Sequence, residues 1–192
     1  MKRIALLPVL LLAATPAFAH TGIGPTSGFA AGFAHPFLGL DHVTVMIAVG
    51  LWAALKGGKA LWVWPATFVT VMLAGGALGM AHVPLPFVEP GILASVVALG
   101  LLVALAVDLP VAAGVAIMSA FGVLHGHAHG MEVPETASGL EYMAGFATAT
   151  ALLHAIGISA ALLLGQRYRP LVRLGGAAVV AIGAGLIAGV IA

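Results

Sequence analysis

The stretch HPFLGLDH, residues 35–42, places two imidazoles and a carboxylate inside a run that is otherwise apolar. A second stretch, HGHAHGMEVPE, sets His125, His127 and His129 two residues apart and follows them with Glu132 and Glu135. Imidazole and carboxylate together form a ligand set for a divalent cation. Without sulfur, that set suits Ni(II), Co(II) or Zn(II) better than Cu(I). On a continuous helix His35 and His42 stand two turns apart on one face, and Met46 extends it. His125 and His129 are at i, i+4 and His129 and Glu132 at i, i+3, so they converge if a helix or turn continues through them. Each group has a plainer reading. Asp41 can accept a hydrogen bond from a histidine and fix a bend. The alternating tract can be an interfacial polar loop with adventitious metal affinity.

Six further groups are candidate ligands beside His125 and His127 of the tract or have structural explanations. His20 offers an amine-plus-imidazole chelate if the chain is cleaved just before it. His154, mid-helix in TALLHAIG, either lines a path or bonds to a carbonyl one turn back. Glu89 is a candidate ligand, but it and Glu141 also suit helix amino termini, where negative charge is favourable. His82 and Asp108 read as loop residues.

The elements that must hold these groups are membrane spans. The chain has 192 residues, 62% hydrophobic and only 7% charged, against about 25% charged in soluble domains. The lipid bilayer is therefore the expected surrounding. A net charge of +1 with no basic patch argues against nucleic acid. The absence of cysteine removes disulfides, thiolate metal sites and cysteine nucleophiles. An ionisable residue deep in a bilayer costs about 2.5–3.5 kcal/mol on insertion scales, so three such groups within one motif favour a functional site.

The opening segment, MKRIALLPVLLLAATPAFA, reads as a signal peptide over residues 1–19. Lys2 and Arg3 supply the positive start and Ala17-Phe18-Ala19 the cleavage site. Residues 20–192 then form a single six-helix membrane domain, all-α, with spans near 28–55, 60–80, 88–107, 110–128, 139–164 and 171–191. With the mature amino end outside, Lys56, Lys59, Arg167, Arg169 and Arg173 all fall on the cytoplasmic side, as the positive-inside rule requires. His82, Glu89, the 125–129 histidines, Glu132 and Glu135 fall outside. Segment 28–55 is overlong for one straight span. Gly32, Pro36 and Gly39 offer places to bend it, with His35 in its outer part and Asp41-His42 nearer the middle.

The motif HPxxGxDH, complete at 35–42, resembles the signature of the HupE/UreJ family of nickel permeases. The likeness continues in VPLP (83–86), in HGHAHG (125–130) and in a signal ending before His20. The resemblance implies a multi-pass protein of the bacterial inner membrane, its mature amino end periplasmic, that brings Ni(II) inward for hydrogenase or urease maturation proteins. It also implies that His35, Asp41, His42, His129 and Glu132 are the residues that matter. Some members handle Co(II). The metal is cargo, and no permanently bound cofactor is expected.

Enzyme readings find little support. GISA (157–160) lacks the GxSG of an intramembrane serine protease, HExxH is absent, and there is no Walker A pattern. Two other classes stay open: a haem-binding subunit with His42 and His154 as axial ligands, and a non-transporting membrane metal-binding accessory protein.

Overall fold

The computed structural model describes residues 28–135 and 137–191. The expected signal segment 1–19 and His20 lie outside them. The described residues form seven α-helices and no strand: α1 Gly28–Ala34, α2 Leu40–Lys56, α3 Ala60–Met80, α4 Val88–Ala104, α5 Val111–Met131, α6 Gly139–Leu164 and α7 Arg169–Ile187. Short 3-10 turns cover His35–Phe37 and Gln166–Tyr168.

The breaks carry familiar chemistry. Gly57 (φ 73°) and Gly165 (φ 59°) end α2 and α6 in a conformation costly for other residues. Pro110 precedes α5, Pro170 sits in the first turn of α7, and the Ser138 hydroxyl accepts the Glu141 N–H to cap α6.

α3 and α6 match the expected spans. α5 runs past the expected 128 to Met131, because its glycines are packing surfaces rather than breaks. A Cβ on Gly126 would overlap the Met72 carbonyl, and one on Gly130 the Gly76 carbonyl, so α5 and α3 touch backbone to backbone. The 125–129 tract is therefore helical and buried rather than a loop. α4 stops at Ala104, short of the expected 107, where Ala106 takes a positive φ of 50°. α7 starts two residues earlier than expected, since a proline is tolerated in a first helical turn.

The 28–55 segment bends as Pro36 and Gly39 suggest, by 82° between Gly28–Phe37 and Leu40–Lys56. Gly39 is extended (φ −112°, ψ 126°) and precedes α2, where a Cβ would fall 2.6 Å from the Asp41 carboxylate. The helix is not continuous here, so His35 and His42 do not share the face that an unbroken helix would have given them. α1 instead crosses the end of α6, with Gly32 against the Tyr142 carbonyl.

Four helices, α3, α5, α6 and α7, are long and apolar enough to cross a membrane, and the bent pair is a fifth if it counts as one span. α4 is apolar but has only 17 residues. The surfaces agree: Leu152, Ile156 and Leu163 of α6 are exposed while Phe146 and Leu153 face inward. Over its described residues the chain is an all-helical membrane protein.

The two ends of the bundle differ. Lys56, Lys59, Arg167 and Arg169 cluster where α2 meets α3 and α6 meets α7. Lys56 pairs there with Asp108 from the α4–α5 turn, and Arg173 bonds the Ala104 carbonyl at 2.7 Å. Trp52 and Trp64 stack at 4.1 Å, both fully buried. Their indole N–H groups donate to the Val107 and Val111 carbonyls at 2.9 and 3.0 Å. The opposite end carries His35, Asp41, Glu89, Glu132 and Glu141.

Candidate metal site

At that end a half-open cavity of about 260 Å³ is lined by His35, Asp41, His42, Glu89, His129 and Glu132, with Leu38, Gly39, Ile92 and Ala128. Four elements converge on it, with α4 supplying Glu89 and Ile92. The 3-10 turn supplies His35, the first turn of α2 supplies Asp41 and His42, and the end of α5 supplies His129 and Glu132.

Glu132 follows the last residue of α5, and its N–H bonds the His129 carbonyl. This turn brings the Glu132 carboxylate back over the helix end. Its Oε2 accepts from His129 Nδ1 at 3.1 Å and from His35 Nε2 at 2.9 Å. The two imidazole bonds, His129 first and His35 second, hold the Glu132 carboxyl well below the usual carboxylate range despite partial burial. Ligand atoms of His35, His129 and Glu132 lie within 4.8 Å of one another, a spacing that a single cation can bridge.

His42 lies behind this group. Its Nδ1 bonds Asp41 Oδ1 at 2.9 Å, and its backbone N–H donates to the same oxygen at 2.8 Å. The His42 ring stands 4.1 Å from that of His129 and 4.7 Å from that of His125. His35 stands 4.7 Å from His129. Four imidazoles thus form a ladder, His35–His129–His42–His125, running from the open cavity into the fully buried core. Among the described residues, His42 Nε2, His129 Nε2 and His125 Nδ1 are buried without a hydrogen-bond partner.

All five principal candidates, His35, Asp41, His42, His129 and Glu132, therefore line one cavity. Glu89 joins them at its rim. His127 does not: helical rotation turns it away from His125 and His129, and its Nε2 donates to the Val83 carbonyl at 2.8 Å, tying down the α3–α4 loop. His154 lies outside the cavity, buried against Phe68 at 5.4 Å; Phe68 also packs on His125 at 5.6 Å. Neither His154 ring nitrogen has a partner among the described residues, so it is not bonded to a carbonyl one turn back.

Three contributors were not picked out by sequence reasoning. Phe146 packs on His129 at 4.0 Å, and Tyr142 lies 5.8 Å from His35. Their i, i+4 spacing near the start of α6 was the available signal. Ser95, a lone hydroxyl in an apolar helix, touches His125 at 2.9 Å.

Fold and cavity together define a class: a helical membrane protein with an imidazole–carboxylate pocket at one end. Residues 8–186 match the HupE / UreJ protein family. Protein HupE of Rhizobium leguminosarum bv. viciae is 42% identical over 191 residues, covering 98% of this chain and 100% of that protein. No solved structure matches the chain. The chain belongs to the HupE/UreJ family.

Proposed function

We propose that the protein is an inner-membrane permease for Ni(II), with Co(II) as an alternative cargo, supplying metal for hydrogenase or urease maturation. The observation that carries this reading is the His35–His129–Glu132 group, open to one side and continued inward by His42. Its nitrogen and oxygen donors, with no sulfur, suit these ions. Glu132 and Glu89 attract the cation, the imidazoles replace its water, and Asp41 offsets charge beside His42.

The topology that fits is six spans with the mature amino end periplasmic after loss of residues 1–19. In it the bent α1–α2 pair counts as one span and α4 as another. At 1.5 Å per residue α4 covers about 25 Å, close to a hydrocarbon core of about 30 Å. The cationic end then faces the cytoplasm and the cavity the periplasm. A dication moving inward gains about 4.6 kcal/mol per 100 mV of inside-negative potential, so the field suffices as a driving force.

The test is radiolabelled nickel accumulation in cells lacking their own nickel permeases. His129→Ala should abolish accumulation while His127→Ala, two residues along the same helix, retains it. Equal accumulation by both variants, at matched membrane levels, would end the reading. A non-transporting accessory protein would bind nickel and accumulate none.

A further inference from the structure

We infer that His42 and His125 form a second, inner metal station, and that Ser95 is the positioning residue that makes it competent. The inference rests on the permease reading. It concerns residues deeper than the entry group, and its support is a count of protons.

Ser95 Oγ lies 2.6 Å from the Ile92 carbonyl oxygen and 2.9 Å from His125 Nε2. A carbonyl only accepts, so the one hydroxyl proton of Ser95 is committed to Ile92. The serine oxygen can then only accept from His125, which places the imidazole proton on Nε2. The other nitrogen, Nδ1, is left with a bare lone pair. His125 is 0% exposed and Nδ1 meets no donor among the described residues. A buried acceptor without a partner is costly and rare in folded proteins.

The same count applies across the gap. The Asp41 carboxylate accepts from His42 Nδ1 at 2.9 Å, so the bare nitrogen of His42 is Nε2, also buried and unpartnered among the described residues. Two imidazoles with rings 4.7 Å apart and at 83° thus each keep one lone pair free, and each donates its remaining N–H to a fixed oxygen. Metal-binding histidines characteristically have such an outer partner, which sets the tautomer and aims the ring. Ser95 plays toward His125 the part that Asp41 plays toward His42. The neutral serine suits the deeper position, because it orients the ring without adding a charge that would trap a dication. His42 neighbours both His129 and His125, so it can pass an ion from the entry group to the inner pair by exchanging one imidazole partner at a time.

The test uses the full chain, purified and reconstituted in liposomes with an imposed inside-negative potential. Nickel binding is measured by titration with a nickel salt and transport by radiolabelled uptake. Ser95→Ala and His125→Ala should keep the affinity of the entry group for nickel within about twofold, since its ligands are intact, but lose maximal uptake at least tenfold. Ser95→Thr, which restores the hydroxyl, should recover uptake. Uptake at the wild-type rate in Ser95→Ala and His125→Ala overturns this inference alone. So does loss of binding together with uptake in those variants, or a Ser95→Thr protein as inactive as Ser95→Ala. Wild-type liposomes that take up no nickel overturn the permease reading, and this inference with it.

Discussion

The Nδ1 atom of His42 lies 2.9 Å from Oδ1 of Asp41, its neighbour in the chain. Asp41 therefore does more than lend charge to the cavity. It fixes which nitrogen of His42 faces the other imidazoles. Asp41→Asn keeps the volume but offers an amide N–H where the carboxylate stood. The ring can then turn its proton toward the metal path. We expect a fall in nickel uptake of about ten- to a hundredfold, the range typical when the outer partner of a metal-binding histidine is lost. Accumulation at the wild-type level in membranes with equal protein would contradict this role.

Glu132 accepts from two imidazoles at once. Glu132→Gln removes the charge and leaves one amide oxygen to serve both rings. The concentration of nickel giving half-maximal uptake should rise by about tenfold or more, with the melting temperature in detergent little changed, because the side chain is 54% exposed. An unchanged half-saturation point would show that Glu132 lies off the ion's route.

Acid should inhibit uptake, and the direction follows from which groups titrate. Imidazole binds metal only when unprotonated, and an ordinary histidine takes up its proton near pH 6.5. Glu132 is different. The hydrogen bonds from His129 and His35 hold its carboxyl well below the ordinary carboxylate value. Its ionised form, and the stability its contacts contribute, are complete above that ordinary value and are lost only as pH falls through the depressed one. Glu132 therefore stays ionised from about pH 7.5 to 5, so any fall in uptake across that range at constant potential comes from imidazoles and not from this carboxyl. An inhibition over that range that Glu132→Gln abolishes would show instead that this carboxyl titrates there.

Gly126→Ala tests the scaffold. The added methyl would overlap the Met72 carbonyl across the α3–α5 seam. Overpacking of this kind costs about 1–3 kcal/mol. It also pushes on α5 between His125 and His129. We expect a lower melting temperature in detergent together with reduced uptake. A protein as stable as wild type would mean that the two helices separate more easily than their contact implies.

Much of this site is legible along the chain, and the remainder is hidden for physical reasons. Pro36 and Gly39 mark the bend, and HPFLGLDH marks the ligands. The bend, however, defeats the two-turn spacing of His35 and His42, so these residues meet His129 by different routes. Within HGHAHG, helical rotation puts His125 and His129 on one face and His127 on another, but only if the helix persists. Gly126 and Gly130 look like loosening residues until α3 is found pressed against them. Ser95 carries no local mark beyond being a hydroxyl in an apolar helix, and Phe146 only its i, i+4 spacing from Tyr142. Their roles come from neighbours 30 and 17 positions away, His125 and His129, and such proximity is created by packing alone.

The stacked pair Trp52 and Trp64 has a practical consequence. The chain holds three tryptophans, and the third, Trp62, is 65% exposed. Two indoles with ring centroids 4.1 Å apart and a 27° interplanar angle are close enough for their excited states to mix. Near-ultraviolet circular dichroism of the unlabelled protein should carry the imprint of that coupling. Trp52 is bonded to the turn between α4 and α5 and Trp64 to the first residue of α5, at the end opposite the metal cavity. If the bundle parts there as an ion leaves, the optical signal should change with it, giving a native probe of conformational turnover that needs no added dye.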